Sequence, residues 1–155
     1  MESIATKYAV AFLLIWCGTA GLISFWEEGA QAAAPDRETI HFTRVYSGAD
    51  GLSHAEEIDA KLGAPNTLGM EQSEEVKAKT TNVVRFPATF FENWHCAHAR
   101  RYVITLTGRG EAEVGGGKKV VLEPGRVVLF EDFTGKGHIS RALTSDWTAV
   151  FVQLE

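Results

Sequence analysis

The chain has 155 residues, 45% of them hydrophobic, so it is long enough for one domain with a substantial core and short for two. Against 15 Lys and Arg it carries 20 Asp and Glu, which gives a formal charge of -5, and no basic run exceeds two residues. This balance excludes the basic surface typical of nucleic-acid binding, and we expect no nucleic-acid partner.

The N-terminal region contains an apolar stretch of membrane-spanning length. Residues 8–26 are nineteen residues without a formal charge. At a helical rise of about 1.5 Å per residue they would cross the hydrocarbon core of a bilayer. Lys7 precedes the stretch and Glu27 and Glu28 follow it, so the positive-inside rule places the N-terminus in the cytoplasm and the following residues outside.

Small residues after this stretch also fit a signal-peptidase site, with cleavage after Ala32 or Ala34. A cleaved signal peptide and an uncleaved membrane anchor therefore both stay open. Both divide the chain into a targeting segment with its linker, residues 1–34, and a folded domain, residues 35–155. Both also predict that the domain lies outside the cytoplasm, either periplasmic, secreted or anchored by the single helix.

Cysteine usage predicts no disulfide inside the domain. Only Cys17 and Cys96 are present, and Cys17 lies in the apolar stretch. Cys96 is therefore the single thiol of the domain, and we expect it to be a small buried hydrophobic residue. The stability of the domain must come from its core.

Alternating apolar and polar residues mark the start of the domain. In ETIHFTRVY, residues 38–46, Ile40 and Phe42 fall on one face, which predicts a strand beginning near Thr39.

The next segment carries a helix signal and then a loop signal. Ser53 with Glu56 three residues later has the pattern of a capping box, so residues 53–63 are predicted to form one or two helical turns. Residues 61–79 are polar and contain Pro, Asn and Gly, which predicts an excursion over the surface.

Short β-rich runs separated by turns fill the rest of the chain and predict six or seven strands. They are TTNVVRF, RRYVITLTG, GEAEV, KKVVLE, RVVLFED, HISRAL and WTAVFVQL. The glycines between Val114 and Val120 predict a hairpin, and residues 123–125 predict another reversal. Strands this close together, with no helix between them, are expected to be antiparallel and to close into a jelly-roll β-barrel, which removes exposed edges.

Two of these stretches resemble the two halves of a cupin domain. They are WHCAHARRYVITLTGRGEAEV and LEPGRVVLFEDFTGKGHISR, and the resemblance covers roughly residues 83–154. It is greatest to small bacterial single-domain cupins with a TTGKGH-like stretch, whose activity is largely undefined. The resemblance implies an all-β double-stranded β-helix barrel, and a homodimer through an outer sheet is one state it leaves open. Many cupins bind iron, manganese, zinc, nickel or copper.

The metal-binding residues of the family are only partly present. In metal-binding cupins the first motif supplies a His-x-His pair, then a glutamate, then a closing glycine. By this resemblance His95 matches the first histidine and Gly108 the glycine, whereas Ala97 replaces the second histidine and Arg101 replaces the glutamate. His138 matches the histidine of the second motif.

One hypothesis is a metal-dependent enzyme of the dioxygenase or isomerase type. A divalent transition metal would be held by His95, His98 and His138, with Glu131 or water completing the shell. Side chains alternate along a strand, so His98 joins His95 only if a bulge or turn at residues 96–99 breaks the alternation.

The preferred hypothesis is a binding protein for a small anionic molecule. A positive charge on Arg101 about 5 Å from a divalent ion would cost roughly 6 to 7 kcal/mol at an effective dielectric constant near 20. Its planar guanidinium instead matches a carboxylate or phosphate. We therefore predict a ligand site made of His95, Arg101, Glu131 and His138, with the ligand, the catalytic residues and enzymatic activity itself left open.

Overall fold

The computed structural model describes residues 38–155, and this part of the chain is all β, as predicted. Its strands are β1 (His41–Ser47), β2 (Ser53–Asp59), β3 (Ala78–Arg85), β4 (Phe91–His95), β5 (Arg101–Thr107), β6 (Gly110–Glu113), β7 (Lys119–Leu122), β8 (Val127–Glu131), β9 (His138–Ala142) and β10 (Thr148–Leu154). A 3-10 turn, Gly115–Gly117, joins β6 to β7 at the predicted hairpin.

The predicted signal peptide or membrane anchor, residues 1–34, lies outside the described residues and stays a prediction. Within residues 38–155, no helix has the length and apolar character needed to cross a membrane.

The strands form two sheets. The larger has the order β2-β1-β8-β5-β10-β3 and the smaller the order β4-β9-β6-β7. The expectation of purely antiparallel pairing is wrong at one place, because β1 and β8 pair in parallel, with Thr43 opposite Val128. A parallel pair needs a long connection between its strands, and here all the strands from β2 to β7 lie in that connection. The edge strands of the larger sheet are β2 and β3, and a dimer through this sheet stays a prediction.

The predicted helical turns at residues 53–63 are wrong, because residues 53–59 form β2 and pair with β1 along its whole length. Arg44 on β1 donates a hydrogen bond to Glu56 on β2 (Nη1 to Oε1, 2.8 Å). Ser53 is fully buried and donates from Oγ to the carbonyl oxygen of Gly137 at 2.6 Å. Cross-strand partners thus outweigh the local capping pattern. The polar segment after β2 is a loop, as predicted, with one isolated bridge between Leu62 and Ser73.

Strand β4 was not predicted from the sequence, and the backbone bends directly after it. β4 pairs antiparallel with β9 in the smaller sheet, and residues 96–100 form a bend before β5 begins in the larger sheet. His95 and Arg101 therefore stand on different sheets. The alternation of side chains along one strand therefore does not continue from residue 95 to residue 101.

The core lies between the two sheets and is centred on Trp147, which is 2% exposed. Its indole stacks on the ring of Phe86, with centroids 3.9 Å apart and planes 16° apart. Its Nε1 donates to Thr105 Oγ1 at 3.4 Å. Gly110 lies directly against the indole, where a Cβ would overlap the ring. Around this stack the core is aliphatic and includes Val45, Val103, Val114, Val120, Leu122 and Val128.

We expect Gly137→Ala to destabilise the protein far more than Gly125→Ala. Both glycines have positive φ, 69° and 87°, so each substitution incurs the left-handed penalty of about 1 to 2 kcal/mol. At Gly137 a Cβ would also overlap the carbonyl oxygen of His95, whereas the space at Gly125 is open. Urea unfolding of both variants measures the difference. Equal losses for the two variants would contradict the close approach of Gly137 to β4.

Candidate functional site

A cavity of about 330 Å³ opens between the two sheets, and side chains of both sheets line it. One part of its wall is aromatic, from Phe86, Phe90, Phe130, Trp147 and Phe151. The other part carries polar groups, among them Glu92, His95, His98, Arg101, His138 and Ser140. The cavity therefore suits a small molecule with one charged end and an apolar body.

His138 is the most buried of the polar groups in the wall. It begins β9, and its ring lies 4.6 Å from the ring of Phe130 on β8. Its Nδ1 is 2.6 Å from Oδ2 of Asp132, and the side chains of His138 and Asp132 are 4% and 0% exposed. A carboxylate accepts the Nδ1 proton, so Nε2 is the ring nitrogen left for a ligand.

His95 stands beside His138 at the end of β4. The two residues are register partners, and their ring centroids are 4.3 Å apart. Nδ1 of His95 donates to the carbonyl oxygen of Asn93 at 2.8 Å, and Nε2 is 3.4 Å from a carboxylate oxygen of Glu92. The predicted pair of His95 and His138 thus meets in one cavity.

Arg101 begins β5 on the other side of the cavity and is half-buried. Its guanidinium lies over the ring of Phe151, 5.4 Å from the centroid, and it has no hydrogen bond or ion pair within residues 38–155. Burial lowers the pKa of Arg101 from its usual value, and the more distant charges of Glu92 and Asp132 offset this only in part. An arginine remains protonated even so, and the cavity therefore holds a positive charge without a direct partner.

Several other arginines in the described part of the chain have carboxylate partners. Hydrogen bonding to Glu56 raises the pKa of Arg44, and hydrogen bonding to Glu111 raises the pKa of Arg141. Arg100, next to Arg101 in sequence, donates from Nε to Glu131 at 3.0 Å and does not line the cavity. Arg101 differs from these three in having no acidic neighbour within bonding distance.

Glu131 does not join the site. It ends β8 on the strand face opposite Phe130, and it is bound by Arg44 and Arg100. Its two carboxylate oxygens are each taken by an arginine. The prediction of Glu131 as a ligand-binding residue is therefore not supported by its position, because β8 turns its side chain away from the cavity.

His98 does line the cavity, because the bend at residues 96–100 breaks the strand alternation as the metal hypothesis required. It is exposed, and within residues 38–155 no group of three or more His, Cys, Asp or Glu side chains is arranged to hold a metal ion. Ala97, in the position of the second histidine of the cupin motif, is 5% exposed and packs in the core. Cys96 is half-buried, with Sγ 3.5 Å from the carbonyl oxygen of Gly135.

Sequence reasoning missed Asp132 as a member of the site. It follows β8 directly and precedes His138 by six residues, and its side chain is fully buried. Its backbone oxygen also accepts a hydrogen bond from the amide of Ala97 at 3.1 Å. A signal was present, since an acidic residue that ends a buried strand needs a partner. Only the folded structure shows that His138 is this partner.

Comparisons with known proteins add little to this geometry. No protein-family model matches the chain, and no curated protein matches it. Among solved structures, a protein described as ethanolamine utilization protein Q, from Salmonella typhimurium LT2, aligns with 76% of this chain and 98% of its own. The two sequences are 8% identical and the TM-score is 0.36. A likeness at this level carries no argument about the site.

We expect Arg101→Met to leave the free energy of unfolding unchanged or to raise it by about 0.5 to 1 kcal/mol, because it removes a desolvated charge that has no partner. Arg141→Met is the matched control. Arg141 bonds to Glu111 and Glu113, so its loss leaves the buried Glu111 with Lys119 at 3.5 Å as its ion-pair partner and should cost about 1 to 3 kcal/mol. Urea unfolding measures both. Equal destabilisation would mean that Arg101 has a structural partner.

Proposed function

We propose that this chain is a cupin-type protein whose barrel lumen binds a small anionic molecule. Arg101 is the anchor for the anion, and His95 and His138 are hydrogen-bonding partners. The observation that carries the proposal is the half-buried guanidinium of Arg101, which has no ion-pair partner within residues 38–155 and lies in the wall of a cavity large enough for a small molecule. The two-sheet fold and the positions of His95 and His138 in one lumen support the cupin assignment.

Electrostatics favour an anion as the occupant. A charge held out of water without a partner is costly, and the protein tolerates this cost at Arg101. A carboxylate or phosphate that accepts two parallel hydrogen bonds from the guanidinium would compensate the charge. Glu92 lies at the same wall, but its side chain is 48% exposed and it lies closest to His95. An anionic ligand could therefore bind the guanidinium of Arg101 without displacing Glu92.

The aromatic wall indicates that the anion has an apolar part. Phe86, Phe90 and Trp147 form one contact cluster, with the Phe86 and Phe90 centroids 4.6 Å apart. Phe151 lies 6.1 Å from Phe86 and below the guanidinium of Arg101. An inorganic ion would leave these rings without contact, so a small organic carboxylate or phosphate fits the cavity better.

A metal-dependent cupin enzyme is the alternative function. The observation in its favour is that His95, His98 and His138 line the same cavity. A carboxylate on Nδ1 of His138 is also a common arrangement for a histidine that binds metal through Nε2. Against it, Arg101 and Ala97 occupy two of the four ligand positions of the resemblance, and a cation would have to lie near Arg101.

The anion proposal predicts a thermal shift that depends on Arg101. A ligand that binds only the native chain stabilises it by about 2.7 kcal/mol at a hundredfold excess over its dissociation constant. A panel of small organic carboxylates and phosphates should contain anions that raise the melting temperature of the full chain. The shift should disappear in Arg101→Gln and persist in Arg100→Gln, which removes the neighbouring charge outside the cavity.

Two results would contradict the anion proposal. One is equal stabilisation of Arg101→Gln and Arg100→Gln by every anion. The other is about one equivalent of iron, manganese, zinc, nickel or copper, by plasma mass spectrometry, in full chain purified without chelator or histidine tag. If this metal were lost in His95→Ala, the metal-dependent enzyme would replace the binding protein.

We also propose that the domain works outside the cytoplasm, on the support of the uncharged residues 8–26 and the charges that flank them. Cell fractionation with intact-mass measurement should find the domain in the membrane or outside the cytoplasm. The measured mass then tells a chain shortened after Ala32 or Ala34 from an uncleaved anchor. A soluble, full-length cytoplasmic product would refute this location.

A further inference from the structure

We infer that His138, held by Asp132, is a general base that enolises the bound anion, and that the anion is a small 2-oxo acid with an apolar body. The inference rests on the proposed function, because Arg101 must hold the carboxylate of that acid. It goes further in assigning a reaction that needs no metal and no cofactor.

The geometry of the Asp132–His138 pair is that of a base with its positioning residue. The Nδ1 to Oδ2 distance is 2.6 Å, and both side chains are almost entirely excluded from water. The carboxylate fixes the tautomer with the proton on Nδ1, so Nε2 carries the lone pair. It also stabilises the imidazolium that forms when Nε2 takes a proton, as in hydrolase triads.

The second carboxylate oxygen of Asp132 supports a role beyond structure. Oδ1 is buried and has no hydrogen-bond partner among the described residues. Buried side-chain oxygens are usually satisfied, because each unsatisfied one weakens the fold. Among the described residues, His138 is the only side chain bonded to the carboxylate of Asp132, and the negative charge of Asp132 acts on that imidazole.

Arg101 and His138 are placed to act on one molecule. Arg101 on β5 is the register partner of Phe130 on β8, and the Phe130 ring lies 4.6 Å from the ring of His138. A ligand whose carboxylate binds Arg101 would extend across Phe130 towards Nε2 of His138. The aromatic wall then receives the rest of the molecule.

A 2-oxo acid matches these three contacts. Its carboxylate fits the guanidinium fork, and its carbonyl makes the neighbouring C–H acidic enough for an imidazole base. An apolar substituent on that carbon would contact Phe86, Phe90 and Trp147. Phenylpyruvate has all three features and is a suitable probe.

The reaction is a balanced proton transfer. Nε2 of His138 takes the proton from the carbon next to the carbonyl, and the pair of the broken C–H bond forms the carbon–carbon double bond. The carbonyl π pair moves to oxygen, which takes a proton from water, and His138 returns its proton to the resulting hydroxide. Nothing is oxidised or reduced, and Arg101 stabilises negative charge as it develops.

The test is the keto–enol tautomerisation of phenylpyruvate by the full chain, followed by ultraviolet absorbance. Removing a general base typically costs about a hundredfold to ten-thousandfold in rate, and we expect a loss in this range for His138→Gln. Asp132→Asn should lower kcat at least about tenfold while phenylpyruvate still raises the melting temperature. If Asp132 had only a structural role, its substitution would not lower kcat while leaving the binding of phenylpyruvate intact.

The matched control is His41→Gln. His41 makes a similar contact with Asp59, at 2.7 Å, but on the exposed surface and away from the cavity, so its loss should leave the rate unchanged. Chelator treatment should also leave the rate unchanged. If His138→Gln does not fold by circular dichroism, Asp132→Asn decides the question through its kcat.

Several outcomes would overturn the inference. They are no acceleration by the native chain, an undiminished rate in His138→Gln or Asp132→Asn, and a rate that chelator abolishes and metal restores. An Arg101-dependent thermal shift with phenylpyruvate but no acceleration would overturn the enolisation alone and leave the binding function standing. If the native chain showed neither acceleration nor a thermal shift with any anion of the panel, the binding function would be overturned as well.

Discussion

Asp132 is the residue on which the architecture of the cavity depends. Its side chain binds His138 at the start of β9 in the smaller sheet, while the residue itself follows β8 of the larger sheet. Its backbone oxygen binds the amide of Ala97 in the bend that joins β4 to β5. One buried residue therefore links both sheets and the crossover between them. Because a buried carboxylate cannot lose its partner cheaply, these three segments are held in one arrangement.

The charged side chains of the cavity wall and of the outer surfaces differ in their partners. On the outer faces, Arg44, Arg100 and Arg141 each have carboxylate partners that compensate their charge. Arg101 is separated from Arg100 by a single peptide bond but points to the other side, into the lumen. Strand alternation at the start of β5 thus places Arg100 in an ion pair and Arg101 in the cavity wall.

The sequence predicted the fold class and most strands, because turn residues separate short apolar runs after residue 78 and the cupin resemblance covers the same region. It failed where long-range contacts overrule local pattern. Residues 53–59 pair with β1 and form a strand, although Ser53 and Glu56 have the pattern of a helix capping box. Strand β4 has few of the apolar residues that are typical of a strand. His95, Arg101 and His138 line one cavity, and their role in binding a ligand stays a prediction. The contact of Asp132 with His138 and the position of Glu131 outside the cavity could not be predicted. Both depend on how three strands pack together, and no local sequence pattern contains that information.

The parallel pairing of β1 with β8 has a consequence for how the chain folds. Strand β1 is made early, but its partner on one side, β8, follows after most of the domain has been synthesised. Loop-closure entropy and high contact order make such a pairing slow. Until it forms, β1 and β2 are a hairpin in which the edge of β1 that later pairs with β8 is open. An unpaired strand edge is a template for aggregation, so this hairpin is a hazard until β8 pairs with β1. The open edge of β1 is covered only when β8 pairs with it, so a strand synthesised late completes the pairing of β1.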